Sequence, residues 1–195
     1  MNQYIDQMLS MLGTWAVARS AGITAFIGFG LSAIAGMISH WKIISPQMRA
    51  KWNITHQWTG WFAWLMLILH LVALILDQYV HYTLLDILIP FRSTEHWFAN
   101  GLGSLAMFCF AGIIISSDFI RSKFPRTWKF IHQSAFPAFL LMLAHALIIG
   151  TDRHKWVVVG IYLGISVLFI VLAWFRQKPT SENDAQHVRS PRKSF

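Results

Sequence analysis

Residues 55–74, THQWTGWFAWLMLILHLVAL, form an apolar stretch with a histidine near each end. Residues 128–152, WKFIHQSAFPAFLLMLAHALIIGTD, repeat this pattern. The four histidines are His56, His70, His132 and His145. Imidazole is costly to place in a lipid-embedded helix, so its repetition in two segments indicates bound cofactors more than chance.

The composition is that of a membrane protein. Of the 195 residues, 55% are hydrophobic and 12% are charged, about half the charged share of a soluble domain. Five segments have the roughly 20 apolar residues that cross about 30 Å of hydrocarbon. They are predicted at residues 15–39, 57–76, 97–117, 130–150 and 156–175.

We therefore predict an all-α membrane protein, a bundle of five transmembrane helices with a short interfacial helix before it. Apolar residues recur on one helical face of residues 1–12, which is typical of an interfacial segment. Residues 13–175 form the predicted transmembrane domain. The polar, basic tail at 176–195 is predicted to be disordered.

The positions of lysine and arginine predict the orientation. They are concentrated in the loops at residues 40–55 and 118–129 and in the tail, which should face the cytoplasm. Five spans then place the N-terminus outside, in the plasma membrane of a bacterium. Insertion bias and anionic lipids explain most of the formal charge of +8, with an acidic partner protein as a further explanation, and no nucleic acid is needed.

The second and fourth spans run in the same direction, so their histidines should meet in pairs. His56 would face His132 near the cytoplasmic surface, and His70 would face His145 roughly 20 Å further along the helices. Paired imidazoles on either side of a planar ring are the usual ligands of low-spin b-type haem. Two levels of ligands predict two non-covalent haem b groups.

Helical geometry tests this pairing. A step of 14 residues from His56 to His70 returns to within about 40° of the same face, whereas the 13 residues from His132 to His145 leave about 140° between them. Pro137 should correct the second pair by kinking the helix, since its ring clashes with the carbonyl of Gln133. Small residues that leave space for a macrocycle are Gly60, Ala135 and Ala138.

Two other interpretations of the histidines remain open. Each could be a polar residue at a helix end or a buried histidine with satisfied hydrogen bonds, and His56 could simply begin its span. A transition-metal site is also possible for imidazole. It is less favoured because no Cys, Asp or Glu accompanies the four histidines in the spans and the two levels are too far apart for one ion.

The chain resembles the ferric-reductase-like transmembrane domain, the haem-binding membrane core of ferric reductases, NADPH oxidases and the membrane subunit of bacterial periplasmic methionine sulfoxide reductase systems. GTWAVARSAG at 13–22, LLDILIPF at 84–91 and the two histidine stretches carry the resemblance, which covers residues 13–175 and is closest to small bacterial members. It implies that His56 and His132 ligate the iron of an inner haem. His70 and His145 would ligate the iron of an outer haem.

The sequence departs from those families at three points. Leu74 stands where the oxygen-reducing oxidases have a further histidine, which argues against superoxide production. The methionine sulfoxide reductase subunits lack a histidine equivalent to His56. No flavin motif or glycine-rich dinucleotide loop follows Phe175, so we expect FAD or FMN to come only through a partner.

Other residues have weaker functional interpretations. Arg19 lies within the first span, about one turn from the outside, and should pair with a propionate of the outer haem or else snorkel to the headgroups. The aromatic residues between the histidine levels either pack between the haems or have an ordinary packing role; they are Trp61, Phe62, Trp64, Phe136 and Phe139. The spacings of Gly28, Ser32 and Gly36, and of Gly160 and Gly164, predict close helix packing. Histidines of the outer loops that could form a metal-binding surface are His81, His96 and His154.

The predicted function is transmembrane electron transfer. A cytoplasmic flavoprotein, or membrane quinol, would reduce the inner haem, and the outer haem would pass electrons to ferric iron or a partner reductase outside. The chain would be the membrane subunit of an oxidoreductase. The alternatives are a quinol-oxidising cytochrome b subunit of a respiratory complex and a non-redox membrane protein or metal permease with histidine sites.

Overall fold

In a computed structural model, which describes residues 13–77 and 82–177, the chain is an all-α bundle. The helices are α1 (Thr14–Ile38), α2 (Pro46–Leu76), α3 (Leu84–Leu88), α4 (Trp97–Phe119), α5 (Pro125–Gln133), α6 (Ala135–Ile149) and α7 (Trp156–Gln177), with a 3-10 turn at Thr151–His154 before α7. No strand occurs among these residues. The interfacial helix predicted at 1–12 and the tail from residue 178 lie outside the described residues.

Five helical segments are long and apolar enough to cross a membrane. They are α1, α2, α4, the α5–α6 pair taken together as Pro125–Ile149, and α7 up to Phe175. The prediction of a five-helix membrane bundle is therefore confirmed. We call the end with loops 39–45 and 120–124 the basic end, and the end with residues 82–96 and 150–155 the opposite end.

Two helices begin earlier than predicted. The second span was expected from residue 57, but α2 begins at Pro46 because Ser45 caps it: the Ser45 hydroxyl accepts the Met48 N–H at 3.3 Å, and Pro46 occupies the first turn. The fourth span was expected from residue 130, but α5 begins at Pro125. Their first turns thus carry basic residues that were assigned to loops. His56 lies well inside α2 and does not begin it.

α1 is the central helix of the bundle and has small residues where its neighbours approach. A β-carbon at Gly28 would lie only 2.8 Å from the Ala63 Cβ, so α1 and α2 are in close contact. On another side, Phe29 stacks on Phe110 of α4 with ring centroids 3.9 Å apart. Phe26 contacts Phe139 of α6 and Tyr162 of α7. The packing predicted for Gly28 is therefore correct.

α2, in contrast, is covered mainly by large apolar side chains that point away from the bundle. Only Ala63 and Ala73 of this helix are buried, whereas Trp61 and Phe62 are exposed. In a membrane this surface faces lipid tails, which solvate apolar side chains well. Along α2, Trp61 and Phe62 lie between the two histidine levels, but their exposed side chains do not pack between the histidine pairs.

The remaining aromatics of that set have packing roles. Trp64 packs against the cluster around Ala63 and Phe110. Phe136 and Phe139 both contact Phe169 of α7, with centroids 5.3 and 4.5 Å away. The close packing predicted for Gly160 and Gly164 is wrong for the described chain, because nothing lies within 4 Å of a β-carbon at either position.

Candidate functional site

The fold brings the four histidines together in two pairs. The basic-end pair is His56 of α2 and His132 of α5, whose ring centroids are 5.9 Å apart with an interplanar angle of 80°. The opposite-end pair is His70 of α2 and His145 of α6, which line the same cavity. The pairing agrees with the one expected from parallel second and fourth spans.

A break in the fourth span reconciles the 13-residue spacing with this pairing. α5 ends at Gln133 and α6 starts at Ala135, with Ser134 between them. The Ser134 N–H and hydroxyl both donate to the Ile131 carbonyl, at 3.0 and 2.6 Å. Pro137 has no N–H for the Gln133 carbonyl and its ring clashes with that group. The helix was expected to change direction at Pro137. The break occurs at Ser134, three residues earlier.

Three of the four histidines are held through Nδ1 by a backbone carbonyl of a neighbouring helix. His70 Nδ1 lies 2.7 Å from the Ala18 carbonyl oxygen of α1, and His145 Nδ1 lies 2.8 Å from that of Ala99 in α4. His56 Nδ1 lies 2.8 Å from the Ser32 carbonyl oxygen. A carbonyl only accepts, so Nδ1 carries the proton and Nε2 of each neutral ring keeps a lone pair for a metal.

Ser32 and His56 also make a reciprocal contact. The Ser32 hydroxyl donates to the His56 carbonyl at 2.9 Å and lies 2.9 Å from His56 Nδ1. A β-carbon at Gly60 would lie 3.1 Å from this hydroxyl. The space at Gly60, expected to receive a macrocycle, is occupied by Ser32. Ala138 is fully buried in the apolar cluster, and Ala135 packs against it.

His132 has an aromatic environment. Its ring lies 5.1 Å from the Trp128 ring, one turn earlier in α5. The Trp128 indole N–H donates to the Ser117 hydroxyl at 3.1 Å, and the Arg121 guanidinium lies 5.0 Å from the Trp128 ring. Arg121 contacts Trp128, and Trp128 contacts His132, so these side chains connect a basic loop to the basic-end pair. The sequence analysis assigned no role to Trp128.

The opposite-end pair lies in a large cavity between α1, α2, α4 and α6. The volume of this cavity is about 190 Å³. Phe26, Phe29 and Phe110 form part of its apolar wall, and Leu74 also lines it. The side chain at Leu74 thus adds an apolar surface to this cavity, at the position where the oxidases have a histidine.

Polar side chains converge at the mouth of this cavity. Arg19, on the first turns of α1, makes a two-point ion pair with Asp152, with distances of 2.9 Å from Nε and 2.7 Å from Nη2. Lys155 Nζ lies 2.8 Å from the same carboxylate. On the other side, Asn100 donates to Tyr82 Oη at 2.9 Å. Arg19 was predicted as a functional residue but its partner was not, because nothing near Asp152 in the sequence indicates that α1 lies beside it.

The Asp152 ion pairs should stabilise the opposite end. The hydrogen bond from Lys155 lowers the pKa of the Asp152 carboxyl below its usual value, and the hydrogen bond and charge of Arg19 lower it further. Asp152→Asn should lower the free energy of unfolding by about 1–2 kcal/mol, less than for a buried pair because Arg19 and Lys155 are partly exposed. Thermal unfolding in detergent measures this loss.

The pH dependence of the same variant has a definite sign. A depressed carboxyl pKa stabilises the fold above the unfolded value of about 3.9 and loses this effect as the pH falls through the folded value. The difference between wild type and Asp152→Asn should thus be constant from about pH 5 to pH 8 and shrink below about pH 4. If the difference in stability between the two proteins changes near neutral pH, a group other than the Asp152 carboxyl is responsible for it.

Comparison with protein families identifies the chain. The model of the ferric reductase like transmembrane component matches residues 21–143. The chain belongs to this family. The match includes His56, His70 and His132 and ends two residues before His145. No curated protein and no solved structure matches the chain.

Membership makes this ferric-reductase-like protein a multi-pass membrane protein of a family associated with membrane electron transfer. Members generally bind haem and typically work with flavin or other redox partners. The residues present fit haem. A metal between two imidazoles, with bonds of about 2 Å, separates the ring centroids by roughly 6 Å, close to the 5.9 Å of the basic-end pair.

The ligand arrangement also differs from a site for a bare ion. Among residues 13–77 and 82–177, no three His, Cys, Asp or Glu side chains are close enough to hold a metal ion together. The four histidines of the described chain lie instead in two separate pairs.

Proposed function

We propose that this chain carries electrons across the plasma membrane of a bacterium and holds two b-type haems for that purpose. His56 and His132 would be the iron ligands near the basic end, and His70 and His145 those near the opposite end. A bound haem supplies a one-electron redox centre whose potential depends on its axial ligands and their hydrogen bonds. The electron donor would act at the basic end and the acceptor at the opposite end.

The contacts of three histidine Nδ1 atoms with backbone carbonyl oxygens are the observation that carries this proposal. Metal-bound histidines almost always donate the other ring N–H to a carbonyl or carboxylate, which orients the ring and raises its basicity. His56, His70 and His145 all make this contact, each with a different backbone carbonyl.

The basic end suits an acidic electron donor on the cytoplasmic side. Basic residues predict which side is cytoplasmic, and Lys123, Arg126 and Lys129 are exposed there. They lie on the same loop and helix as Arg121, whose guanidinium contacts Trp128 and through it the His132 ring. These positive charges would attract an acidic flavoprotein with bound FAD or FMN. Membrane quinol, the other possible donor, would approach through the lipid. The same charges also bind anionic lipid headgroups.

The opposite end suits an acceptor outside the cell. The open cavity at His70 and His145 could be reached by ferric iron or by a partner reductase. Arg19 lines this cavity and carries a guanidinium N–H, on Nη1, beyond the two nitrogens that bind Asp152. In this proposal that N–H would donate to a propionate of the haem at this end.

The absorption spectrum of the purified protein tests the proposal. Protein from haem-replete cells should show a Soret band, and extraction should give two haems per chain. A protein without a Soret band would overturn the proposal and favour the metal or packing interpretation of the histidines. A ratio near one would refute the two-haem arrangement, and the His56→Ala variant would show whether the basic-end pair is empty.

A further inference from the structure

The three histidines whose Nδ1 contacts a carbonyl of a neighbouring helix, His56, His70 and His145, each lie against a glycine of that helix. In all three cases the glycine is four residues after the residue that supplies the carbonyl. The three sets are Ala18, Gly22 and His70; Ser32, Gly36 and His56; and Ala99, Gly103 and His145. The same arrangement therefore occurs at both levels and on both sides of the bundle.

Helix geometry explains the four-residue interval. The Cα–Cβ bond of a helical residue points toward the N-terminus, so the side chain at one position lies over the carbonyl one turn earlier. That carbonyl already accepts the N–H of the residue four positions later. A second donor, such as His Nδ1–H, can approach only where no side chain covers the oxygen. Glycine is the residue that leaves it uncovered.

The available space supports this explanation. A β-carbon at Gly103 would lie 2.7 Å from His145 Nδ1, and one at Gly22 would lie 3.0 Å from His70 Nδ1. At Gly36 it would lie 3.0 Å from His56 Nδ1. An ordinary contact of this kind is 3.4–4 Å, so the ring would have to move away from the carbonyl that orients it.

The sequence of α1 matches α2 at both levels. Gly22 and Gly36 are separated by 14 residues, as are His56 and His70 on the antiparallel neighbour. The two helices therefore make the same contact twice in one register. Gly28 lies between these glycines and contacts Ala63, not a histidine. Two different roles for glycine thus occur along one helix.

We propose that Gly22, Gly36 and Gly103 are positioning residues that set the orientation and protonation of three haem ligands. The missing side chain lets the imidazole donate Nδ1–H to the carbonyl one turn earlier, which fixes Nε2 as the metal-binding nitrogen. This inference rests on the proposed function, because the ligand roles of the histidines come from it. It gives a role to Gly22 and Gly103, which had none, and to Gly36, which was assigned to general helix packing.

Alanine variants in the intact membrane protein test this inference. Gly103→Ala should lose the opposite-end haem, which halves the Soret absorbance per chain. Gly22→Ala and Gly36→Ala, with a smaller clash, should keep two haems but raise the midpoint potential of one, because a ligand without its Nδ1–H contact is a weaker donor to ferric iron. The low-spin electron paramagnetic resonance signal of the same haem should shift. Gly22→Ala should affect the opposite-end haem and Gly36→Ala the basic-end haem.

Three glycine variants serve as controls. Gly28→Ala introduces an equally close contact in α1, 2.8 Å from the Ala63 Cβ, but away from the histidines. Gly112→Ala, on α4 like Gly103, meets only one atom at 4.0 Å, and Gly160→Ala meets nothing within 4 Å. None of the three should change the potential or the resonance signal of either haem, although Gly28→Ala should lower thermal stability.

The outcomes separate this inference from the proposed function. Wild-type protein without haem contradicts the proposed function and, with it, the inference. Wild-type protein with two haems, whose Gly22, Gly36 and Gly103 variants have unchanged spectra and potentials, overturns the inference alone. Equal spectral changes in Gly28→Ala would also overturn it, since the glycines would then act through packing. If Gly103→Ala does not accumulate, the midpoint potentials of Gly22→Ala and Gly36→Ala decide whether the inference holds.

Discussion

Replacing His70 or His145 with alanine is expected to remove one of two haems and leave the other in place. The two pairs lie at different levels, and the contacts that orient His56 involve Ser32 and no residue of the opposite-end pair. The haem content should therefore fall by about half in either variant, because a haem iron that loses one of its two axial histidines is held far more weakly. The pyridine haemochrome assay, with protein quantified separately, measures this content.

The reciprocal variants provide the control. His56→Ala and His132→Ala should also remove one haem, but the haem that remains should have the potential and resonance signal of the opposite-end site. His96→Ala, at the start of α4, changes a histidine outside both pairs and should retain both haems. Loss of both haems from every single variant, with the fold intact, would mean that the pairs do not act as separate sites.

The second large effect concerns the source of electrons. In membranes that contain this chain alone, NADH or NADPH should leave the haems oxidised, and adding a flavin reductase should reduce them. The physical reason is that hydride transfer from a nicotinamide needs a flavin or similar carrier to deliver single electrons to haem. The haem absorption at fixed nucleotide concentration, followed before and after addition, measures the difference. Rapid reduction by the nucleotide alone would contradict this prediction.

The basic residues of α5 and the loop before it allow a more specific prediction about the rate of electron entry. Replacing Lys123, Arg126 and Lys129 together with Gln should slow reduction by an acidic flavoprotein severalfold at low salt and leave haem content unchanged. The difference should diminish as salt rises, since charges separated by more than about 8 Å are screened at physiological ionic strength. Replacing Arg92 and Arg153 at the opposite end is the control. An unchanged rate in the triple variant would assign these charges to lipid binding.

Much of this architecture follows from the sequence. Apolar length gives the five spans, and two histidines in each of two alternate spans give the pairing, because both properties depend on local periodicity. The starts of α2 and α5 were misplaced since Ser45–Pro46 and Pro125 initiate helices beyond the apolar stretch. Hydropathy alone does not detect a helix that continues past the membrane boundary.

Contacts between distant segments were the parts that sequence reasoning missed. The Arg19–Asp152 pair joins α1 to a turn 133 residues away, and nothing local to either residue indicates the other. Gly22 and Gly36 did carry a signal, the 14-residue spacing that they share with His56 and His70. It becomes informative only when α1 and α2 are known to be antiparallel neighbours with matching levels. Trp128 had no such signal.

The break at Ser134 gives the two sites different mechanical freedom. His56 and His70 lie on one continuous helix, tied at two points to α1, so any rigid movement of α2 shifts both sites together. His132 and His145 lie on separate helical segments, with Ser134 as the joint. A partner that displaces α5 when it docks would move His132 relative to His56, while His145 on α6 stays in contact with the Ala99 carbonyl of α4. In the proposed function, the basic-end site would then respond to the docking of a donor while the opposite-end site stays unchanged.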